Sequence, residues 1–565
     1  MIRTGVVAVF VGIFSFAGSV NAALIGQVVS NNYSNIQPGM PNYGIAQGSI
    51  FTMGGTNDMT ESTASQGVPL QTSLAGVTIT VTVGGVTTQA IPYFVSPAQI
   101  TAILPSKTPV GNATVTVTSG GNSVSASTTV VQSAFGLATV STPGASGPVV
   151  AASAQDDNEG GQLLSQANAA NPGEYLTLWG SGLGPVTGDE TQYQTPADLT
   201  NIPIEVDIGG VSATVTYHGR SIYPGLDQIN VIVPAGVSGC SVSVVVTAGG
   251  VPSNFATIPV AATGRTCSDA GLIPVTPGEY QGLLSLGSVN VGALSLETLT
   301  TTSPSTGAVT SDSAYAEFQK DTAQQFASTG LLQVPSMGSC LVPGEWPWQS
   351  PLTYYYAYYS STYQLNAGLE IDVNGPYGAL ALPSASGVEG GEYVEPFGTS
   401  PPIVPPTGGM FAFSNGSGGP DVGAFKASFS ETLPTSLVWT NSSAITAIDR
   451  AKGQLITWTG GIPGSYVSIF GYSSIYETVP VAAGQLAYNV RFTCSAPLSA
   501  GQFTVPAAVL ESLPPTGTTL SVDLPPSGNG YLYVASGSVQ RFSAPGLDLG
   551  LLFFGAGSGI SVPFR

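Results

Sequence analysis

The residues best equipped for chemistry in this chain are few. Its 565 positions hold four cysteines and one histidine, with 31 acidic against 11 basic residues. Cys240 and Cys267 bracket two strand-like runs and a Gly-Gly turn, GCSVSVVVTAGGVPSNFATIPVAATGRTC. There is no CxxC, and the interval between these two matches no zinc spacing. A small even set in an exported chain reads as disulfides, Cys240 with Cys267 and Cys340 with Cys494. A serine hydrolase would have to use His218, which the pattern places in an inserted loop, and no G-x-S-x-G elbow surrounds a serine. A glycosidase needs only two carboxyls that the fold brings together, so it stands as the catalytic alternative.

Two other groups have the chemistry of binding. The stretch EWPWQSPLTYYYAYYSSTY starts at Glu345. In an extended strand Tyr354, Tyr356 and Tyr358 share one face, and with Trp346 and Trp348 they form a candidate surface for sugar rings or a packed aromatic edge. Acidic residues cluster on Gly-rich loops, Asp156, Asp157 and Glu159 in AQDDNEGG and Asp189 and Glu190 in GDET. Such oxygen ligands suit calcium, but the alternating spacing of a calcium loop is absent. The plainer reading is solvated loop acids, with no metal and no cofactor. LPPTG, from Leu513, lacks the apolar segment and basic tail of a wall-sorting signal and is expected to be a turn between strands.

The rest of the chain indicates where these residues work. Arg3, the apolar run from Gly5 to Ala17 and the small residues Val20-Asn21-Ala22 have the order of a secretory signal over 1–22. The run is shorter than the roughly 20 apolar residues of a spanning helix, and no later segment is long enough for one. Charged residues make up 7% of the chain, against about 25% in ordinary domains. The hydrophobic content of 42% and the 23 tyrosines favour packed sheets over disorder. A net charge of −20 gives phosphate backbones and anionic membranes no attraction, so no nucleic-acid partner is expected. Acid would leave few cations to repel one another, so acid unfolding should be mild, as suits an acidic or variable-pH exterior.

The first half contains one unit twice. GSIFTMGG from Gly48 matches GEYLTLWG from Gly173, and VTVGGV from Val81 matches VDIGGV from Val206. SPAQITAILP from Ser96 matches GLDQINVIVP from Gly225, and TSGG from Thr118 matches TAGG from Thr247. The offset holds over all four blocks apart from one small step at YHGRSIYPG, which marks a duplication. Each unit alternates with period two around Gly-Gly pairs, the pattern of short strands and hairpins in a two-sheet sandwich.

PGEYLTLWGSGLGP, VDIGGVSATVTY and GGVPSNFATIPV resemble the immunoglobulin-like IPT/TIG domain. With LDQINVIVP, Cys240 and Cys267-Ser268-Asp269, residues 136–269 are similar to an uncharacterised domain of secreted acidobacterial proteins. The resemblance implies a fold and an exported location, and no activity.

After residue 270 the pattern stays β: AGLEIDVNGPYGALALP reads as two strands about a turn, and GQLITWTGGIPGSYVSIFGYSS as another pair about Gly460-Gly461. SAYAEFQKDTAQQFA, Ser313 to Ala327, reads as a short helix. A Cys340–Cys494 bond across the Pro-rich segment 396–409 would bind this region into one composite unit, divisible into two subdomains. The expected fold class is therefore all-β. Two immunoglobulin-like sandwiches, 23–135 and 136–269, precede a larger β-rich region, 270–565. The expected function is a secreted, non-catalytic extracellular or envelope-associated binding or structural protein that recognises a polysaccharide or cell-surface component. The alternative is a carbohydrate-active enzyme with accessory sandwiches.

Overall fold

The structure is a computed structural model. It describes residues 28–565 except 55–58, 141–150, 153, 270–271, 273, 304–306, 329–333, 343–344, 348–362, 385–390, 395–402, 406, 430–436, 462, 478–485 and 517–529. The expected signal segment, 1–22, lies outside the described residues. Nearly every described element is a strand, as the alternating patterns predict.

The duplicated units fold alike, each as two packed sheets of the immunoglobulin-like kind. The matched blocks occupy matched places. Ile50–Gly54 pairs antiparallel with Gln99–Ile103 in the first unit, and Tyr175–Ser181 with Asp227–Ile232 in the second. Four Gly-Gly pairs close two-residue hairpins, Val83 opposing Val86, Ser119 opposing Asn122, Ile208 opposing Val211 and Ala248 opposing Val251. Both glycines of each pair have positive φ, from +55° to +86°, which the tight hairpin turn demands and other residues resist. The Cys240–Cys267 disulfide ties the long central strand of the second unit, Gly239–Ala248, to the segment leaving it.

The two sandwiches are fastened together. Asn31 Nδ2 donates to the carbonyls of Ala134 and Ser181, Ser181 Oγ accepts from Ile50 N, and Tyr93 donates to Pro224 O. Glu190, a calcium candidate in the sequence, accepts from both Ser106 N and Ser106 Oγ. Beside them Arg220 is wholly buried with Asp227, Nε to Oδ1 at 2.6 Å, while Asp227 Oδ2 accepts from Gly182 N and Leu183 N. His218 is not in a loop; it lies on the strand Thr214–Arg220 with Nε2 3.0 Å from Leu199 O.

The C-terminal region is organised by one nine-stranded sheet, whose strands are numbered within it. They are β1 (Ser288–Ser303), β2 (Gly307–Thr322), β3 (Cys340–Leu341), β4 (Glu345–Pro347), β5 (Glu392–Val394), β6 (Tyr466–Glu477), β7 (Leu486–Pro497), β8 (Gly530–Phe542) and β9 (Leu549–Val562). The order is β3-β7-β6-β8-β9-β1-β2-β5, with β4 also on β7, so strands from both sides of the Pro-rich segment share one sheet. Cys340 and Cys494 are directly opposed on β3 and β7 and form the second disulfide, Cα atoms 4.0 Å apart.

Three expectations are corrected here. Ser313 to Thr322 is part of β2, and only the following α2 (Ala323–Ser328) is helical. Ala314, Ala316 and Phe318 face the core while Tyr315, Glu317 and Gln319 alternate with them, and pairing on both edges outweighs the helix propensity of Ala, Glu and Gln. Gly460-Gly461 closes no hairpin; Gln454–Gly460 pairs with Leu437–Trp439 and Gln502–Val505 in a separate three-stranded sheet. Leu513 is fully buried just after α3 (Ala507–Glu511), so LPPTG follows a helix instead of a strand.

One face of the large sheet is covered twice. A four-stranded sheet packs Ile371, Val373 and Phe413 on Leu294, Phe318 and Phe554. Next to it Trp439, Trp458 and Leu510 pack on Val467, Phe492 and Val534, and Met40 of the first sandwich is buried in that same cluster. On the opposite face, α1 (Pro277–Ser285), entered through a Thr276/Glu279 capping box, and α2 cover one end with Tyr280, Leu283 and Phe326.

Candidate functional site

Beyond those helices the same face can be read row by row from strand register. Side chains on one face recur every second residue, and paired residues stand side by side. The first row is Glu297 on β1, Gly555 on β9, Gly537 on β8 and Tyr466 on β6. The second is Leu299, Gly557, Ala535, Ser468 and then Ser495 on β7. The third is Thr301, Gly559, Tyr533, Phe470 and Thr493.

The middle row has nothing larger than serine between Leu299 and β7, and the rows beside it carry rings and the Glu297 carboxyl. The result is a cleft in the sheet face, lined among others by Glu297, Tyr466, Phe470, Thr493, Phe553 and Gly557. Its glycines permit close approach. A Cβ on Gly559 would lie 2.2 Å from the Tyr533 ring, and one on Gly537 would lie 3.0 Å from Tyr466 Oη. Gly555 is different: a Cβ there would meet only Glu297 Cγ, at 3.7 Å. Glu297 thus leans over the Gly555 position.

The wall behind the third row is a stack of upright rings. Phe470 and Tyr533 have centroids 4.8 Å apart at 12°, Tyr531 and Tyr533 6.0 Å at 11°, and Tyr472 and Tyr531 5.2 Å at 25°. Rings stacked this way cover one another's faces. Tyr533 is buried, bonded to Tyr472 and Thr301, and its phenol is pushed up to about 12, chiefly by desolvation.

Two features make the cleft polar in an otherwise apolar setting. Burial pushes the Glu297 carboxyl up to about 8, so at neutral pH it is a neutral acid able to donate as well as accept. Thr493 is 5% exposed and, among the described residues, its Oγ1 has no partner; Ser495 on the same strand is fully buried and its Oγ has none among them either. Buried hydroxyls normally find partners, so the unmatched Thr493 hydroxyl in the cleft lining marks a place where an incoming group would be bonded.

A second acidic cluster lies on β2 and β5, where Glu317 and Glu392 are directly opposed. The Tyr315 hydroxyl bonds to both. Desolvation and then the Glu392 charge push Glu317 up to about 8, and desolvation pushes Asp321 up to about 6. Neither Glu317 nor Glu392 lines the cleft, which has Glu297 as its one carboxyl among the described residues.

Of the residues singled out in the sequence, Trp346 lies on β4 with Asn489 as its register partner, and Trp348, Tyr354, Tyr356 and Tyr358 fall outside the described residues. The calcium candidates are otherwise engaged. Asp156 is fully buried, bonds Arg265 Nη1 at 2.9 Å and caps the turn at Asn158 N, while Asp157 accepts from Thr177 Oγ1. The Glu159 side chain falls outside the description. Hydrogen bonds from Thr191 hold the exposed Asp189 carboxyl below its usual range. Among the described residues no group of three His, Cys, Asp or Glu is placed to hold a metal ion, and no helix is long and apolar enough to cross a membrane.

The sequence reading missed Glu297, Phe470, Thr493 and the glycines. One signal was present: FFGAGSG alternates Gly555, Gly557 and Gly559 within a strand, which marks close approach of another group.

No family model matches the chain, and no curated protein matches it. Among solved structures it aligns with a tetra-tandem repeat in the extending region of a large adhesion protein, at 12% identity and a TM-score of 0.13, over 95% of this chain and 99% of that one. It aligns with SGBP-B of the Bacteroides ovatus mixed-linkage glucan utilization locus, in complex with a mixed-linkage heptasaccharide, at 11% and 0.12, over 86% and 95%. Domains 4–9 of surface layer protein SbsC align at 10% and 0.14, over 94% and 82%. Overlaps at this level locate no common site.

Proposed function

We propose that this chain is an extracellular, non-catalytic surface-binding protein whose two IPT/TIG-like sandwiches support a glycan-binding cleft on the C-terminal sheet. The observation that carries the reading is the cleft itself: aromatic walls, a floor of glycine, alanine and serine, and the buried Thr493 hydroxyl, which has no partner among the described residues. Sugars offer apolar C–H faces and many uncharged hydroxyls, which match such a lining. A single carboxyl in the cleft favours binding over hydrolysis, because glycoside hydrolysis ordinarily uses two carboxyls about the scissile bond. The two disulfides and the low charge suit an exterior location, the cell envelope included. The test is binding of the mature protein to plant, fungal and bacterial polysaccharides on an array. Retention on at least one neutral polysaccharide without release of reducing sugar is expected. Release of reducing ends by the wild type, lost in Glu297→Gln, would instead make it an enzyme.

A further inference from the structure

We infer that Tyr315, Glu317 and Glu392 form a proton-held latch that fastens the edge strand β5 to β2, and that loss of the shared proton releases β5 while the rest of the sheet stays folded.

The stoichiometry of the hydrogen bonds carries the inference. Glu317 on β2 and Glu392 on β5 are directly opposed, and Tyr315, opposed to Val394, bonds both carboxyls through its hydroxyl. A phenol has one proton to donate, and an ionised carboxylate only accepts. The hydroxyl can bond both glutamates only by donating to one and accepting from the other, which must then hold a proton of its own. Glu317 is 9% exposed, and a buried charge without an opposite partner is costly. Loss of that proton would set two like charges side by side across the strands, which weakens a strand pair.

No cation is on hand to take the proton's place. Among the described residues the groups acting on Glu317 are Glu392, Tyr315 and Asp321, the last lying four residues along β2, about 13 Å away. On β1 the register partners of Tyr315 and Glu317 are Ser295 and Ala293. α2, AQQFAS, has no titratable side chain. α1 adds Tyr280 to the cluster that holds Tyr315, and its exposed Glu279 is paired with Arg541. Lys320 alternates to the other face of β2 and is exposed, and Tyr363, whose carbonyl accepts from Lys320 N, is 56% exposed. The segments 348–362, 385–390 and 395–402, outside the description, contain Glu389 and Glu395 and no Lys or Arg. The rise of the Glu317 carboxyl to about 8, by desolvation and then by the Glu392 charge, agrees with this setting.

β5 is the element that such a loss would free. It is three residues long and stands last in the sheet. Beyond its register with β2, Gly391 O accepts from Phe318 N at 2.6 Å. Tyr393 is buried edge-on to Phe318, with centroids 5.9 Å apart at 80°, and its hydroxyl donates to Gly368 O and accepts from Ala367 N. Releasing β5 draws Tyr393 out of that part of the core, a local opening. β2 itself stays bound to β1 through sixteen register pairs.

The experiment is hydrogen–deuterium exchange of the mature full chain from pH 5 to 9, read by mass spectrometry and corrected for the intrinsic pH dependence of exchange. Peptides covering β5 are compared with peptides covering β1 and β9. A carboxyl raised in the closed state supports it fully below about pH 4.5, and that support is lost as pH rises through about 8. β5 should therefore be less protected than β1 and β9 throughout, and its protection should fall by up to about tenfold per pH unit from pH 5 to 8, then level off. Glu317→Gln gives the phenol an N–H that does not titrate, so β5 should keep its protection to pH 9. Glu392→Gln should do the same. Tyr315→Phe, which removes the hydroxyl joining the two carboxyls, should lower β5 protection already at pH 5. The latch is overturned if β5 protection in the wild type does not change with pH, if β5 exchanges only together with β1 and β9, or if both glutamine variants keep the wild-type slope.

Discussion

Replacing Glu297 by glutamine should change how stability responds to pH, in a direction opposite to ordinary acid denaturation. The carboxyl is raised from 4.5 to about 8, so the folded protein holds this proton more tightly than the unfolded chain does. The stabilisation is fully present below about pH 4.5 and is lost as pH rises through 8. At about 1.4 kcal/mol per unit, a shift of this size is worth on the order of 5 kcal/mol between those limits, less whatever the cleft recovers by admitting water. Glu317 and Asp321 on the neighbouring strand are raised as well, so they act in the same direction. The exposed Asp189, Glu279 and Asp449 carboxyls are lowered and oppose it. Differential scanning calorimetry from pH 4.5 to 9 should therefore show the wild type melting several degrees higher in acid than at pH 9. Glu297→Gln should match it at pH 5 and exceed it at pH 9. A wild type that melts lower at pH 5 than at pH 9, or a variant curve parallel to wild type throughout, would refute the reasoning.

Other outcomes follow from separate contacts. Asp227→Ala leaves the buried Arg220 unpaired and should cost about 3–5 kcal/mol, read from a shifted urea midpoint. Replacing Cys340 and Cys494 together by serine opens a loop of 154 residues, and the chain-entropy model puts the loss at about 5 kcal/mol before native-state strain; comparing thermal melts of the double variant and wild type tests it. Gly559→Ala drives a methyl into the Tyr533 ring, so it should destabilise by about 1–3 kcal/mol and weaken sugar binding together, measured by melt and titration on the same sample.

The sandwiches were legible because their signals are local. A Gly-Gly pair between alternating runs specifies its own hairpin, and duplication shows each signal twice. The disulfides were legible from cysteine number and compartment. The cleft was not, because each of its rows draws on strands far apart in sequence. Glu297 meets Gly555, and Thr493 meets Phe470 and Tyr533, only once register is set. In β2, Tyr315, Glu317, Gln319 and Asp321 are polar yet largely buried, so alternation gave no contrast between core and solvent and the run read as a helix. The tyrosine stretch drew attention by composition, whereas the rings placed at the cleft come from the unremarkable SIFGYSS and GYLYVAS.

The pairing of β1 with β9 also governs when this region can be completed. Val291 lies beside Leu549 in a parallel register, roughly 260 positions away, and such non-local pairing is slow to form. A nascent or translocating chain that has already released five hundred residues still lacks the strand that joins β1 to β8. Until β9 emerges, the edges of β1 and β8 that it joins stay unpaired and liable to pair with other chains. β9 thus works as a completion signal, and a chain cut before Leu549 should yield aggregate in place of a shortened protein.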